Sequence, residues 1–256
     1  MKKWLKIAYI TAVFMLLYLP TLVLVIYSFN DSKISTNWQG FTIRWYFEFF
    51  QDSLLLDAML NSLIVAIISG TVATVIGTLG AVAFYRYRFI GRKALYSLIY
   101  IVMMSPDIVM GISLLLFFMI IGMPIGFLTL VLSHITFCLP FVVVTVYARI
   151  SGFDRNIIEA AKDLGADEFQ TFRHIILPML MPAIISGWLL SFTLSIDDCI
   201  VSFFVTGPSF EVLPLKIYSM VRLGVKPEIN ALSTIVFVLT LISVSISQLL
   251  IREEKQ

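Results

Sequence analysis

The sequence predicts an all-α integral membrane protein with six transmembrane helices, and three observations carry that prediction. Apolar residues make up 59% of the chain and charged residues 13%, about half the usual charged share of roughly a quarter. The apolar residues gather in runs that meet the about 20 residues a helix needs to cross roughly 30 Å of hydrocarbon. None of these runs contains Lys or Arg.

The first run, residues 7–29, follows Lys2, Lys3 and Lys6 and so imitates a secretory signal. It exceeds the roughly 7–15 apolar residues of a signal core, and no small-x-small cleavage site follows it, so it reads as a retained first span. The others are 60–84, 94–121, 127–147, 177–205 and 229–251, in a single transmembrane domain over 1–256. An even number of spans puts both termini on one side. With that side cytoplasmic, thirteen Lys and Arg fall inside and five outside, the densest group being Arg86, Arg88, Arg92 and Lys93 in a short loop. That is the asymmetry of the positive-inside rule, and it makes both termini cytoplasmic.

A net charge of +2 gives no reason to expect nucleic-acid binding. Cys138 and Cys199 fall inside apolar runs, as small packing residues do, and form neither a disulfide framework nor a zinc pattern. His134 and His174 lack the neighbouring ligands of a metal site, so no metal is expected. Ser69, Ala73, Gly77 and Ala81 recur every four residues and give the second span a small-residue face for close helix packing. Packing within the chain and packing against a second subunit both satisfy that pattern.

Residues 151–178 form a long cytoplasmic loop with helical patterning. Phe153, Ile157, Ala160, Ala161 and Leu164 share one face of a short amphipathic helix. Gly165 stops it as a left-handed C-terminal residue, and Asp167 with Gln170 makes a capping box that opens a second short helix. The polar face is weakly basic, so docking to a protein explains the element better than lying on lipid.

Three carboxylates, Asp107, Asp197 and Asp198, lie at membrane depth, where ionisable groups are costly and mark pathways or substrate sites. No Lys or Arg in the spans can neutralise them, whereas a cationic solute would. Trp188, Ser191, Ser195, Asp198 and Ser202 fall at spacings of 3, 4, 3 and 4, a polar stripe on one helical face that ranks Asp198 above Asp197. Trp188 offers its ring to an ammonium group. Asp107 follows Pro106, which can kink the third span, and both a structural and a pathway role fit it. The external segment 30–59, with Trp38, Trp45, Glu48, Asp52 and Asp57, either meets a binding protein or caps the bundle.

Glu159-Ala160-Ala161, Gly165, Ile175, Leu177 and Pro178 together resemble the EAA signature of type I ABC importer permeases. Similarity to the second permeases of spermidine/putrescine importers runs through nearly the whole chain, including Trp45-Tyr46, Ser105-Pro106-Asp107 and Ile196-Asp197-Asp198. The resemblance implies a bacterial inner-membrane importer subunit paired with a second, related permease. It also implies a dimeric ATPase and an extracytoplasmic polyamine-binding protein. The loop would form the coupling helices, with Glu159, Ala160, Ala161 and Gly165 as ATPase contacts. ATP and magnesium would belong to that partner, leaving this chain without a cofactor or catalytic residue; no G-x-x-x-x-G-K-[ST] phosphate loop occurs here. A permease for another small solute is the alternative. An ATP-independent cation channel and a membrane enzyme fit the docking loop less well.

Overall fold

Long apolar segments with few breaking residues leave the backbone one way to satisfy its polar groups in lipid, which is to form helices. The computed structural model describes residues 3–32, 37–208, 210–223, 227–238 and 241. Lys2, Lys33, Lys226, Arg252, Lys255 and the far part of the expected span 229–251 lie outside them. The described residues gather in two units, one drawn from Met1–Asp57 and Lys216–Gln256, the other being Ala58–Leu215.

In the first unit, α1 (Lys3–Tyr27) has apolar side chains exposed around almost its whole circumference, as a lipid-facing helix does. A compact segment follows it. The Trp45 indole donates to the Asn30 carbonyl at 2.7 Å, the Ser28 and Tyr46 hydroxyls meet at 2.7 Å, and Phe29 stacks on Phe41 at 5.3 Å. These contacts seat α2 (Arg44–Gln51), whose Trp45 and Phe49 are buried. The expected loop 30–59 is therefore partly helical and folded. A short apolar helix, Pro227–Val238, is the described part of the expected last span.

The second unit is the bundle. Helix α3 (Ser53–Arg86) opens where the Asp52 carboxylate accepts the N–H groups of Leu54 and Leu55 at 3.0 and 3.2 Å, satisfying donors that a helix start leaves free. The expected span 94–121 is two helices, α4 (Arg92–Met104) and α5 (Asp107–Ile120), bent by 112°. Pro106 causes the break, since it cannot donate to the ladder and drives the preceding Ser105 into extended backbone. Helix α6 (Phe127–Ile150) is continuous through Pro140.

After α7 (Arg155–Asp163), Gly165 takes a φ of +82° and the Ala166 N–H returns to the Ala161 carbonyl at 3.0 Å, closing the helix end. α8 (Glu168–Thr171) then starts from the expected box. Asp167 Oδ1 accepts the Gln170 N–H at 2.7 Å, and Gln170 Oε1 accepts the Asp167 N–H at 3.1 Å. It is not a separate short helix, however. Through a π turn over Phe172–Ile176 it continues into α9 (Leu177–Asp197) as one rod, Glu168–Asp197. Pro178 has no N–H for the His174 carbonyl and crowds it, which the wider turn accommodates.

The expected span 177–205 also breaks. Asp198 is extended, and α10 (Ile200–Val205) follows. The expected connection beyond it contains α11 (Leu213–Leu223).

Along α3, α6 and α9–α10, buried residues fall in the same order. One end carries Ala81, Val142, Val146, Ile176 and Leu180, and the other carries Val65, Leu130, Val131, Val201 and Val205. Between these apolar clusters each helix contributes polar groups. The small-residue face packs within the chain: a methyl placed on Gly77 would lie 2.7 Å from Val142 Cγ1, and one on Gly187 would lie 3.4 Å from the same atom. Val142 therefore fits between two glycines on two helices.

Candidate functional site

The polar layer between the clusters is a continuous hydrogen-bonded seam. Ser69 donates to the Val65 carbonyl at 2.6 Å and meets Ser195 Oγ at 3.1 Å; Ser195 Oγ lies 2.6 Å from His134 Nδ1. On the other side of the ring, His134 Nε2 is 3.0 Å from Ser202 Oγ and 3.4 Å from Asp198 Oδ2. Ser202 donates both its N–H and its hydroxyl to Asp198 Oδ2, at 2.7 and 2.9 Å, and the Val201 N–H reaches Oδ1 at 3.2 Å. His134 thus bridges the two halves of the seam, one ring nitrogen facing Ser195 and the other facing Ser202 and the Asp198 carboxylate.

Asp198 thus has a partner that a search for Lys and Arg misses. Its carboxylate also caps α10, which is why the span breaks there without a proline. Both facts correct the expectation of an unpaired Asp198 on a continuous polar face. Ser191, Ser195, Asp198 and Ser202 are buried inside the chain. The Trp188 indole donates to Thr71 Oγ1 at 3.0 Å, and its ring stacks on Phe192 at 5.5 Å.

The neighbouring carboxylate is different. Asp197 is exposed at the end of α9, and among the described residues it has no side-chain hydrogen bond or ion pair. Ser186, Leu190, Thr193 and Asp197, at spacings of 4, 3 and 4, share the uncovered flank of α9, all four exposed. Ser186 and Thr193 are the residues the sequence reading missed. The same helical spacing was present there, but periodicity does not say which of two polar stripes turns inward.

Asp107, half-buried at the first position of α5, is also unpartnered among the described residues. α5 and α10 run side by side in the same direction. A methyl on Gly111 would meet Val201 Cα at 3.4 Å, and beyond the helices Gly207 approaches the Ile125 carbonyl. The two helix breaks, and with them Asp107 and Asp197, therefore come near one level of the bundle.

In the loop, Ala161 is buried, while Glu159, Ala160, Leu164 and Gly165 are exposed. Arg86 at the end of α3 pairs with Glu168 at 2.8 Å, tying α8 to the bundle. Ile157, Leu164 and Phe169 leave apolar surface uncovered there.

Residues 73–253 match the family model of the binding-protein-dependent transport system inner membrane component. The chain belongs to this family. Among relatives of this transport-system component, the spermidine/putrescine transport system permease protein PotC of Escherichia coli K12 is 57% identical over 96% of this chain and 93% of its own. The putrescine transport system permease protein PotI of the same strain is 46% identical over 87% of this chain and 82% of its own. A chain of a bacterial ABC transporter involved in the import of the polysaccharide alginate shares the fold, with a TM-score of 0.74 at 16% identity, over 97% of this chain and 95% of that one. The transport-component fold thus persists where little sequence does.

Proposed function

We propose that this chain is one of two related permease subunits in an ATP-driven importer of spermidine and putrescine. The near full-length 57% identity to a permease of that name carries the substrate class. The two unpartnered carboxylates at neighbouring helix breaks suit a polycation. Asp107 and Asp197 attract an ammonium group, and Ser186 and Thr193 extend the polar flank along α9. Few charges suffice, because a transit site must release what it binds. Asp198 has the supporting role of holding the α9–α10 break against His134.

In this reading the chain spans the bacterial inner membrane six times as one transmembrane domain, with both termini cytoplasmic. A second permease covers the α9 flank, and an extracytoplasmic binding protein delivers the amine. The loop over 151–178 seats Glu159, Ala160, Ala161 and Gly165 on an ATPase dimer, whose ATP and magnesium supply the energy. The apolar surface left uncovered at Ile157, Leu164 and Phe169 supports that docking.

The test is ATP-dependent uptake of labelled spermidine and putrescine into vesicles holding the complete complex. Asp197→Asn should lower uptake with assembly and ATPase activity intact. Entry of neither amine with the unaltered protein would reject the substrate assignment. Uptake surviving deletion of residues 159–165 would reject the docking role.

A further inference from the structure

At the α3–α4 turn, an open cavity of about 840 Å³ is lined by Arg88, Arg92 and Lys93 together with Phe89, Tyr96 and Tyr147. Both flanking helices are apolar and the turn joins them, so it lies at a membrane surface. Among the described residues no carboxylate pairs with any of the three cations, and the contact described for them is a long one of 3.4 Å from Arg92 to the Tyr147 hydroxyl. Uncompensated charge beside aromatic rings at that depth suits an anion with an apolar body. The loop supplies a second observation: Ile90 is fully exposed and Tyr87 and Phe89 are partly so, placing apolar side chains where acyl chains begin. Outward from the cavity, α4 buries no residue and exposes Leu95, Leu98 and Ile101, a surface along which those chains can lie.

We infer that this cavity binds the phosphate headgroup of an anionic phospholipid, with Arg88, Arg92 and Lys93 holding the phosphate and the Phe89–Ile90 tip entering the leaflet. Basic pockets between helices on the cytoplasmic side recognise such headgroups, and each juxtamembrane cation contributes about fivefold in affinity. The inference uses the topology proposed above, but its readout does not depend on what the importer carries.

Native mass spectrometry of the purified complete complex, titrated with phosphatidylglycerol, phosphatidylcholine or inorganic phosphate, tests it. The expected result is retained phosphatidylglycerol, weakened on the order of 100-fold in the triple variant Arg88→Gln, Arg92→Gln, Lys93→Gln. It should be restored in a variant carrying Arg88→Lys and Arg92→Lys with Lys93 intact. Equal retention by the unaltered and triple-Gln complexes overturns the proposal. So does competition by inorganic phosphate alone, which would indicate a free-phosphate site. Loss of the ATPase from the triple-Gln complex with lipid retention unchanged would instead make the cavity a docking surface. Polyamine uptake failing while the lipid response stands would reject the substrate reading and leave this one intact.

Discussion

Asp197 and Asp198 are neighbours in sequence and sit in opposite surroundings. On the interior side of the break, Asp198, His134, Ser195, Ser202 and Ser69 satisfy one another in a closed chain between two apolar clusters. On the uncovered flank of α9, Ser186, Thr193 and Asp197 have no partner across the bundle among the described residues. Their hydroxyls fold back on their own helix, Ser186 to Pro182 and Thr193 to Leu189. A carboxylate that is fully bonded fixes structure. One left without partners is free to meet something outside the chain.

The largest expected effect breaks the interior side. Asp198→Ala removes the acceptor of the Val201 and Ser202 N–H groups and of the Ser202 hydroxyl, all buried, and should cost about 3 kcal/mol. It should appear as lost complex or a lowered unfolding midpoint, and a stable, fully assembled Asp198→Ala complex would refute the seam. Next, Gly77→Val forces side-chain atoms into the space of Val142 and should cost about 1–3 kcal/mol. Adding Val142→Ala should recover part of the loss, and strict additivity of the two changes would show that they do not touch.

On the flank, Asp197→Asn should change stability by less than about 0.5 kcal/mol and lower polyamine uptake about tenfold, one charge-assisted contact being worth about 1.5 kcal/mol. If it destabilises as Asp198→Ala does, the contrast between the two residues fails. The smallest effect is Thr193→Val, expected to lower uptake about twofold, less than 1 kcal/mol in barrier. Uptake kinetics with both amines at matched protein levels would detect it.

Much of this arrangement was legible in the sequence. Pro106 marks a break, and Gly165 followed by Asp167 and Gln170 marks a stop and a start, because these signals act within a few residues. The second break was hidden: it is made by the side chain of Asp198 bonding backbone three and four residues on, and an Asp in an apolar run reads equally well as a helical residue. His134 was visible as a histidine but not as a partner, since 64 positions separate it from Asp198 and periodicity carries no information across that distance. The same limit left the Gly77 face open between two neighbours until Val142 was seen against it.

The unbroken run from Glu168 to Asp197 has a mechanical consequence. Thirty residues of helix make a strut about 45 Å long, with the ion-paired Glu168 at one end and the open carboxylate of Asp197 at the other. A displacement applied at the surface loop reaches the polar flank without crossing a flexible joint. The π turn at Phe172–Ile176 lies within the same hydrogen-bonded rod and widens its local pitch without interrupting it.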